Sequence, residues 1–252
     1  MTFFDVKNVK PLQESRPRPF AVPRSSPCDA CTVRNLTLCA ALEERELTEM
    51  AAIVTTVELS PGDPLFDEAE PAEHVFNVTA GAVKVYKLLA DGRRQMTGFL
   101  FPGDFLGLAN EETYAYSAEA ITHTALCRFP RRKLQRLLEE HPKMGHRLLG
   151  MASHELAAAQ EQMLLLGRKT AREKIASFLL MLSRRATQRG QAGDPVSVPM
   201  RRNDIGDYLG LTTETVSRTF TQLKQGGSVS LLQGGKVELV DRARLEEIAE
   251  GD

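Results

Sequence analysis

The sequence predicts an α+β protein with an N-terminal β-roll of the jelly-roll kind, a long helix, and a C-terminal winged helix-turn-helix. Three observations predict it. Between about residues 57 and 129, short apolar runs are punctuated by turn residues, and Pro61-Gly62-Asp63 recurs as Pro102-Gly103-Asp104. From Lys143 to about Gly167 the apolar period is helical. Residues 202–224 then set Gly206 and Gly210 between two helical runs, where two steeply crossing helices need a small residue and a tight turn.

Composition bounds the rest. The chain has 252 residues, 26% charged and 42% apolar, with a formal net charge of −1. No run approaches the ~20 apolar residues that span a bilayer, so no membrane partner is expected. The N-terminus lacks a basic stretch followed by an apolar one, which argues against a secretory signal and for a cytoplasmic protein. Four cysteines in such a chain do not make a disulfide scaffold; they point to a metal, a redox role or simple burial. The small net charge hides an asymmetry: Arg168 to Lys236 holds 12 Lys/Arg against 5 Asp/Glu, while the segments on either side are acidic. A solvated basic face or a polyanion partner would each account for that bias.

Along the chain, residues 1–27 carry five prolines and little apolar periodicity, and read as a flexible arm. A short cysteine-containing segment follows. Residues 43–54 predict a helix with Leu47, Met50 and Ile53 on one side. In the roll, Val83 and Val85 alternate with Lys84 and Tyr86, and Asp91-Gly92 marks a hairpin turn. The segment therefore predicts a sensor unit over 28–140. In the long helix, 141–168, Leu148, Met151, Ala158, Gln162 and Leu165 fall at spacings close to a coiled-coil seam, predicting a two-fold dimer interface. Residues 169–252 form the last unit. There, 172–188 is an amphipathic helix with Ile175, Phe178, Leu179 and Leu182 inward, and 196–198 is strand-like.

Within the helix-turn-helix, Ile205, Leu209, Leu211 and Val216 fall where the two helices must pack, and Thr212 or Thr213 can cap the second. A second helix of this motif enters the DNA major groove. Glu214, Ser217 and Arg218 share its exposed face near the N-terminus: Arg can donate two bonds to guanine, Glu can accept from cytosine, and Ser can contact either kind of base. Arg202, Thr212 and Thr213 complete the expected DNA-binding set. Residues 229–232 and 234–239 predict a β-hairpin wing, and Gly234-Gly235-Lys236 is not a phosphate loop because Val237 follows.

Cys28, Cys31 and Cys39 form C-x2-C-x7-C, with Cys127 far downstream. Thiolates so spaced can wrap a soft metal centre closed by a distant fourth; a thiol switch or plain structural cysteines fit the same residues. None of His74, His123, His141, His146 and His154 stands at metal-ligand spacing with a cysteine or another histidine. No G-x-S-x-G, paired-carboxylate or nucleotide-loop signature supports an enzyme.

Taken together, Cys28, Cys31, Cys39 and Cys127, the runs Met163-Leu164-Leu165-Leu166 and Leu182-Ser183-Arg184-Arg185, and the stretch from Asp204 to Arg218 resemble the cAMP-receptor/FNR family of bacterial transcription regulators, and within it the FNR subgroup with its FnrN/FixK-like relatives. The resemblance implies a cyclic-nucleotide-binding-like jelly roll and an oxygen-labile 4Fe–4S cluster on the four cysteines. It also implies a homodimer that reads an inverted repeat related to TTGAT-N4-ATCAA, contact with RNA polymerase, and control of anaerobic or microaerobic genes as activator or repressor, with DNA released when oxygen degrades the cluster. Glu214, Ser217 and Arg218 become base readers. Tyr116-Ser117 stands where the cAMP-binding branch has an Arg-Ser pair for the cyclic phosphate, so no cyclic nucleotide is expected. The x7 gap between Cys31 and Cys39 is longer than the x5 of enterobacterial relatives, and Ala157-Ala158-Ala159 lies where some relatives carry a charge in the dimer helix.

Overall fold

The structure is a computed structural model that describes residues 26, 28–108 and 112–251. The arm expected over 1–27 lies, apart from Ser26, outside the described residues. Eight strands build the roll: β1 Thr55–Leu59, β2 Pro64–Phe66, β3 His74–Ala80, β4 Val83–Leu88, β5 Arg94–Leu100, β6 Phe105–Leu106, β7 Ser117–Ala120 and β8 Thr124–Pro130. They form two four-stranded antiparallel sheets, ordered β1-β8-β3-β6 and β2-β7-β4-β5. This is the jelly roll that the alternation predicts.

Between the sheets lie Phe76, Val78, Val83, Leu100, Leu106 and Leu126, all buried. Aromatic rings fill one end: Phe66 stacks on Tyr114 with centroids 3.7 Å apart, and Tyr116 lies 5.7 Å from Phe66. Tyr116 also accepts a hydrogen bond from the Gly107 amide at 3.1 Å, and Ser117 accepts one from the Glu68 amide at 2.9 Å. Both residues at the Arg-Ser position are thus committed to the roll's own backbone.

Helix α1, Glu44–Ile53, starts in a capping box between Glu43 and Glu46. Two helices follow the roll, α2 (Arg131–Glu140) and the 27-residue α3 (Pro142–Arg168), which opens on a proline. Helix α4, Ala171–Gln188, is capped by Thr170 and Glu173 and buries Ile175, Phe178, Leu179 and Leu182. Strand β9 (Val196–Ser197) then pairs with β11 (Lys236–Glu238), which pairs with β10 (Ser230–Leu232), giving the wing. Between them stand α5 (Arg202–Leu209) and α6 (Thr213–Gln225), and α7 (Arg242–Glu250) closes against α4.

The steep α5–α6 crossing has a visible cause. A Cβ on Gly206 would come 2.6 Å from the Leu211 carbonyl oxygen, so only glycine allows this approach. Gly210 ends α5 in the left-handed conformation, φ 63° and ψ 42°, which other residues adopt at a cost.

The roll and the C-terminal half share one core. Phe99 of β5 packs on Phe178 and Tyr208, with centroids 6.1 and 5.1 Å away. Around this contact, Gln95 Nε2 donates to the Asp207 carbonyl at 2.8 Å and Arg185 Nη1 donates to the Phe99 carbonyl at 3.0 Å. Lys84 of β4 is buried between two acids, 2.9 Å from Glu119 Oε1 on β7 and 3.4 Å from Asp204 Oδ1 on α5. No helix among the described residues is long and apolar enough to cross a membrane.

Candidate metal centre and nucleic-acid interface

Chain segments far apart in sequence bring the four thiols to one cavity. Two short 3-10 turns, Arg34–Leu36 and Leu38–Ala41, fold the N-terminal cysteine segment against the outer face of β8, which carries Cys127. Cys28, Cys31, Cys39 and Cys127 all line the cavity, whose apolar walls include Met50, Phe129 and Leu134. Thr37 shapes the turn: its hydroxyl accepts from the Cys39 amide at 3.2 Å and donates to the Arg34 carbonyl at 3.1 Å. Arg34 Nη2 donates to the Cys28 carbonyl at 2.6 Å. Cys31 and Cys39 also border an open surface groove, so one side of the cavity meets solvent.

All four are free thiols. Burial raises the pKa of Cys28 and of Cys39, and pushes Cys127 up to about 12, the other three thiols adding to its rise. A thiol held that high keeps its proton at neutral pH until a cation displaces it. Four thiols lining one mostly apolar cavity make a soft donor set, suited to a thiophilic metal or an iron–sulfur group.

Arg147 on α3 ties this site to the long helix, donating to the carbonyls of Thr37 and, at 2.7 Å, Asn35. The opposite wall is clasped as well: His141 Nε2 lies 2.9 Å from Glu49 and its Nδ1 lies 3.4 Å from Glu46 on α1. Sequence spacing set His141 aside because it has no cysteine or histidine partner; its partners are carboxylates that the fold delivers, with Glu140 also close. Arg147 and Asn77, a buried cavity residue, were equally invisible to pattern reading, since both act across about a hundred or fifty residues of chain.

Four of the five residues expected at a dimer seam also make contacts within the chain. Leu148 and Met151 pack against the apolar cluster beneath the cysteines, Gln162 Nε2 donates to the Tyr208 carbonyl at 2.7 Å, and Leu165 packs on the C-terminal core. Of those five residues only Ala158 is exposed. The exposed apolar row of α3 runs instead through Leu149, Ala152, Leu156, Ala159 and Met163, spaced three, four, three and four. Leu156 is 63% exposed and Met163 70%. The two rows lie one residue apart along the helix, and the first also makes contacts within the chain.

On α6 the expected residues stand together. Thr212 caps the helix, its hydroxyl accepting from the Thr215 amide at 3.1 Å, and Thr213 opens it. Glu214 and Arg218 are exposed and paired at 2.6 Å, and Ser217 is exposed with its hydroxyl donating to the Thr213 carbonyl. An exposed pair of this kind is worth at most about 1 kcal/mol, so either partner is free to exchange it for a better one. Arg202 lies apart from this row, its guanidinium 3.5 Å above the Phe220 ring.

A jelly roll joined through a long helix to a winged helix-turn-helix is the architecture of a transcription regulator with a DNA-binding head. Residues 56–141 match the cyclic nucleotide-binding domain family, and residues 173–248 match the Crp-like helix-turn-helix domain family. The chain is 41% identical over 222 residues, 88% of its length and 93% of the relative's, to the nitrogen fixation regulation protein FixK of Bradyrhizobium diazoefficiens. It is 38% identical to the transcriptional activator protein FnrL of Cereibacter sphaeroides, over 89% of this chain and 92% of that one. The solved structure of FixK2 from Bradyrhizobium japonicum superposes with a TM-score of 0.72 at 40% identity, covering 78% of this chain and 97% of the other. The chain belongs to the Crp/FNR family of transcription regulators, on its FNR/FixK-like side, and is no enzyme.

Proposed function

We propose that this protein is an oxygen-responsive, homodimeric transcription activator of cytoplasmic DNA, with a 4Fe–4S cluster on Cys28, Cys31, Cys39 and Cys127. The observation that carries the reading is the convergence of four free thiols on one cavity whose rim is hydrogen-bonded to α3. The cluster supplies oxygen lability. The chain's own residues supply the rest: the thiols hold the group, the apolar walls limit water, and the open side by Cys31 and Cys39 admits small molecules.

The work divides along the chain, with sensing in 28–140, pairing in 141–168 and DNA reading in 169–252. Arg147 makes the cysteine loop and the start of α3 a single unit, so ordering the loop orders the helix. The exposed row of Leu149, Leu156 and Met163 then meets the same row of a second copy around a two-fold axis. Two α6 helices set about 34 Å apart match successive major-groove faces, hence an inverted repeat. RNA polymerase contact completes the activator role. Tyr116 and Ser117, which stand where a phosphate-binding Arg-Ser pair would be and instead bond the roll backbone, support a roll that works without a cyclic nucleotide.

Leu156→Glu places two like charges at the two-fold seam, which costs several kcal/mol. Anaerobic sedimentation then shows monomers for the variant and dimers for the parent; an unchanged dimer moves the seam elsewhere. Arg218→Ala loses on the order of 1–3 kcal/mol of DNA affinity and relaxes discrimination at one base pair per half-site. A binding titration across single-base variants of the site checks it, and intact discrimination removes Arg218 from readout. The reading as a whole is tested by gel shift on an inverted-repeat duplex. Tight anaerobic binding that needs both half-sites and is lost after air supports it; binding to one half-site alone, indifferent to air, contradicts it.

A further inference from the structure

The turn between α5 and α6 rests against the last turns of α3. The final carbonyls of a helix have no partner within it, and α5 ends at Gly210. The Gly206 carbonyl takes the amides of Gly210 and Leu211. The next two reach outside the head: Asp207 accepts from Gln95 Nε2 on β5 at 2.8 Å, and Tyr208 accepts from Gln162 Nε2 on α3 at 2.7 Å. Beside that second bond, Leu165 packs on the core of the head, and Leu166 Cδ2 stands 3.4 Å from where a Cβ on Gly210 would lie. Two side-chain amides from two separate units thus hold the end of α5 that leads into α6. Because Gly206 lets α5 and α6 pack at contact distance, a tilt of one helix is a tilt of both. Gln162 also shares a turn of α3 with Met163, which is 70% exposed in the row assigned above to a second copy.

We infer that Gln162 is a positioning residue for DNA specificity: its bond to the Tyr208 carbonyl fixes the tilt of the α5–α6 pair on α3, and so the half-site separation that the dimer accepts. This rests on the homodimer and inverted-repeat reading above. One added base pair moves the second half-site ~3.4 Å along the DNA axis and turns it by ~35° about that axis. Heads pinned to α3 at one angle cannot follow both changes. Heads released from α3 follow them in part, but must then be ordered by the DNA itself, which weakens binding to the correct site. Loss of a neutral hydrogen bond of this kind is a several-fold effect, and a dimer has two.

The test compares the full-length parent, Gln162→Leu, which has no donor, and Gln162→Lys, which keeps one, all purified without oxygen. Each is titrated with an inverted-repeat duplex, with the same duplex lengthened or shortened at its centre by one base pair, and with a single half-site. For Gln162→Leu the expected result is several-fold weaker binding to the correct repeat and a several-fold smaller preference over the altered centres. Its single half-site affinity, its dimer in sedimentation and its iron content match the parent's. Gln162→Lys keeps the parent's preference or falls between the two. A leucine variant with the parent's full preference overturns the assignment, as does a lysine variant as relaxed as leucine. An equal loss on every duplex, the single half-site included, also overturns it by marking a plain fold residue, and a leucine variant that sediments as monomers does so by marking a seam residue. A parent that binds one half-site as tightly as the repeat overturns the inverted-repeat reading instead.

Discussion

Cys127→Ser is expected to abolish retention of iron while leaving a folded, DNA-sized regulator behind. Cys127 is the thiol that the fold, not the local sequence, brings to the other three. It sits mid-strand on β8, held by ladders to β1 and β3, so its position survives whatever the N-terminal loop does. Cys28, Cys31 and Cys39 are carried by a segment without regular strands or long helices. Removing Cys127 therefore leaves three ligands on one loop and none on the roll's sheet. A serine hydroxyl is a hard, weakly acidic donor and a poor substitute for thiolate toward iron. Serine is close to cysteine in size, so the metal-free fold survives the substitution at a cost of about 1–3 kcal/mol for the hydroxyl placed against apolar walls. Iron per monomer, read against the circular dichroism melt, separates the two effects. A variant that keeps the parent's iron makes Cys127 a packing residue.

The second large effect is at Lys84→Met. The ammonium lies between Glu119 and the 2%-exposed side chain of Asp204, joining the roll to the first helix of the DNA-binding head. Removing one member of a buried ion cluster strands the others, at roughly 3–5 kcal/mol. For a chain of this size that lowers the melting temperature by roughly 6–20 °C. Replacing both acids as well, in Lys84→Met with Glu119→Gln and Asp204→Asn, is expected to recover most of the loss, since no charge is then left uncompensated. Iron content stays at the parent's value in both, because Lys84 lies on the sheet remote from the cysteines. A melt unchanged by the single substitution would mean that the triad contributes nothing to the seating of the head on the roll.

Several parts of this architecture were legible from residues alone because their causes are local. Gly206 and Gly210 mark the helix-turn-helix through sterics confined to a few residues. The alternation around Val83 and Val85 marks the strand, and both valines are buried between the sheets; the expected half-exposure fails, because Lys84 and Tyr86 on the other face are buried too, Lys84 beneath α5. What could not be read depends on pairing across the chain. Gln162 reaches Tyr208, and Leu148 and Met151 pack under the cysteine loop, contacts that no period in α3 encodes. The stacking of Arg202 on Phe220 follows from the α5–α6 crossing, which no local pattern displays. Asn77 and Lys84 read as ordinary strand residues until the sheets and α5 placed partners around them, or withheld them.

One measurement tests the role of the four thiols most directly: iron and acid-labile sulfide per monomer in protein purified without oxygen, with DNA binding assayed before and after brief exposure to air. The prediction is about four irons and four sulfides per monomer, with binding lost as they are lost. Protein without iron that binds its DNA equally well in both conditions would leave the DNA-binding head intact and contradict the sensor.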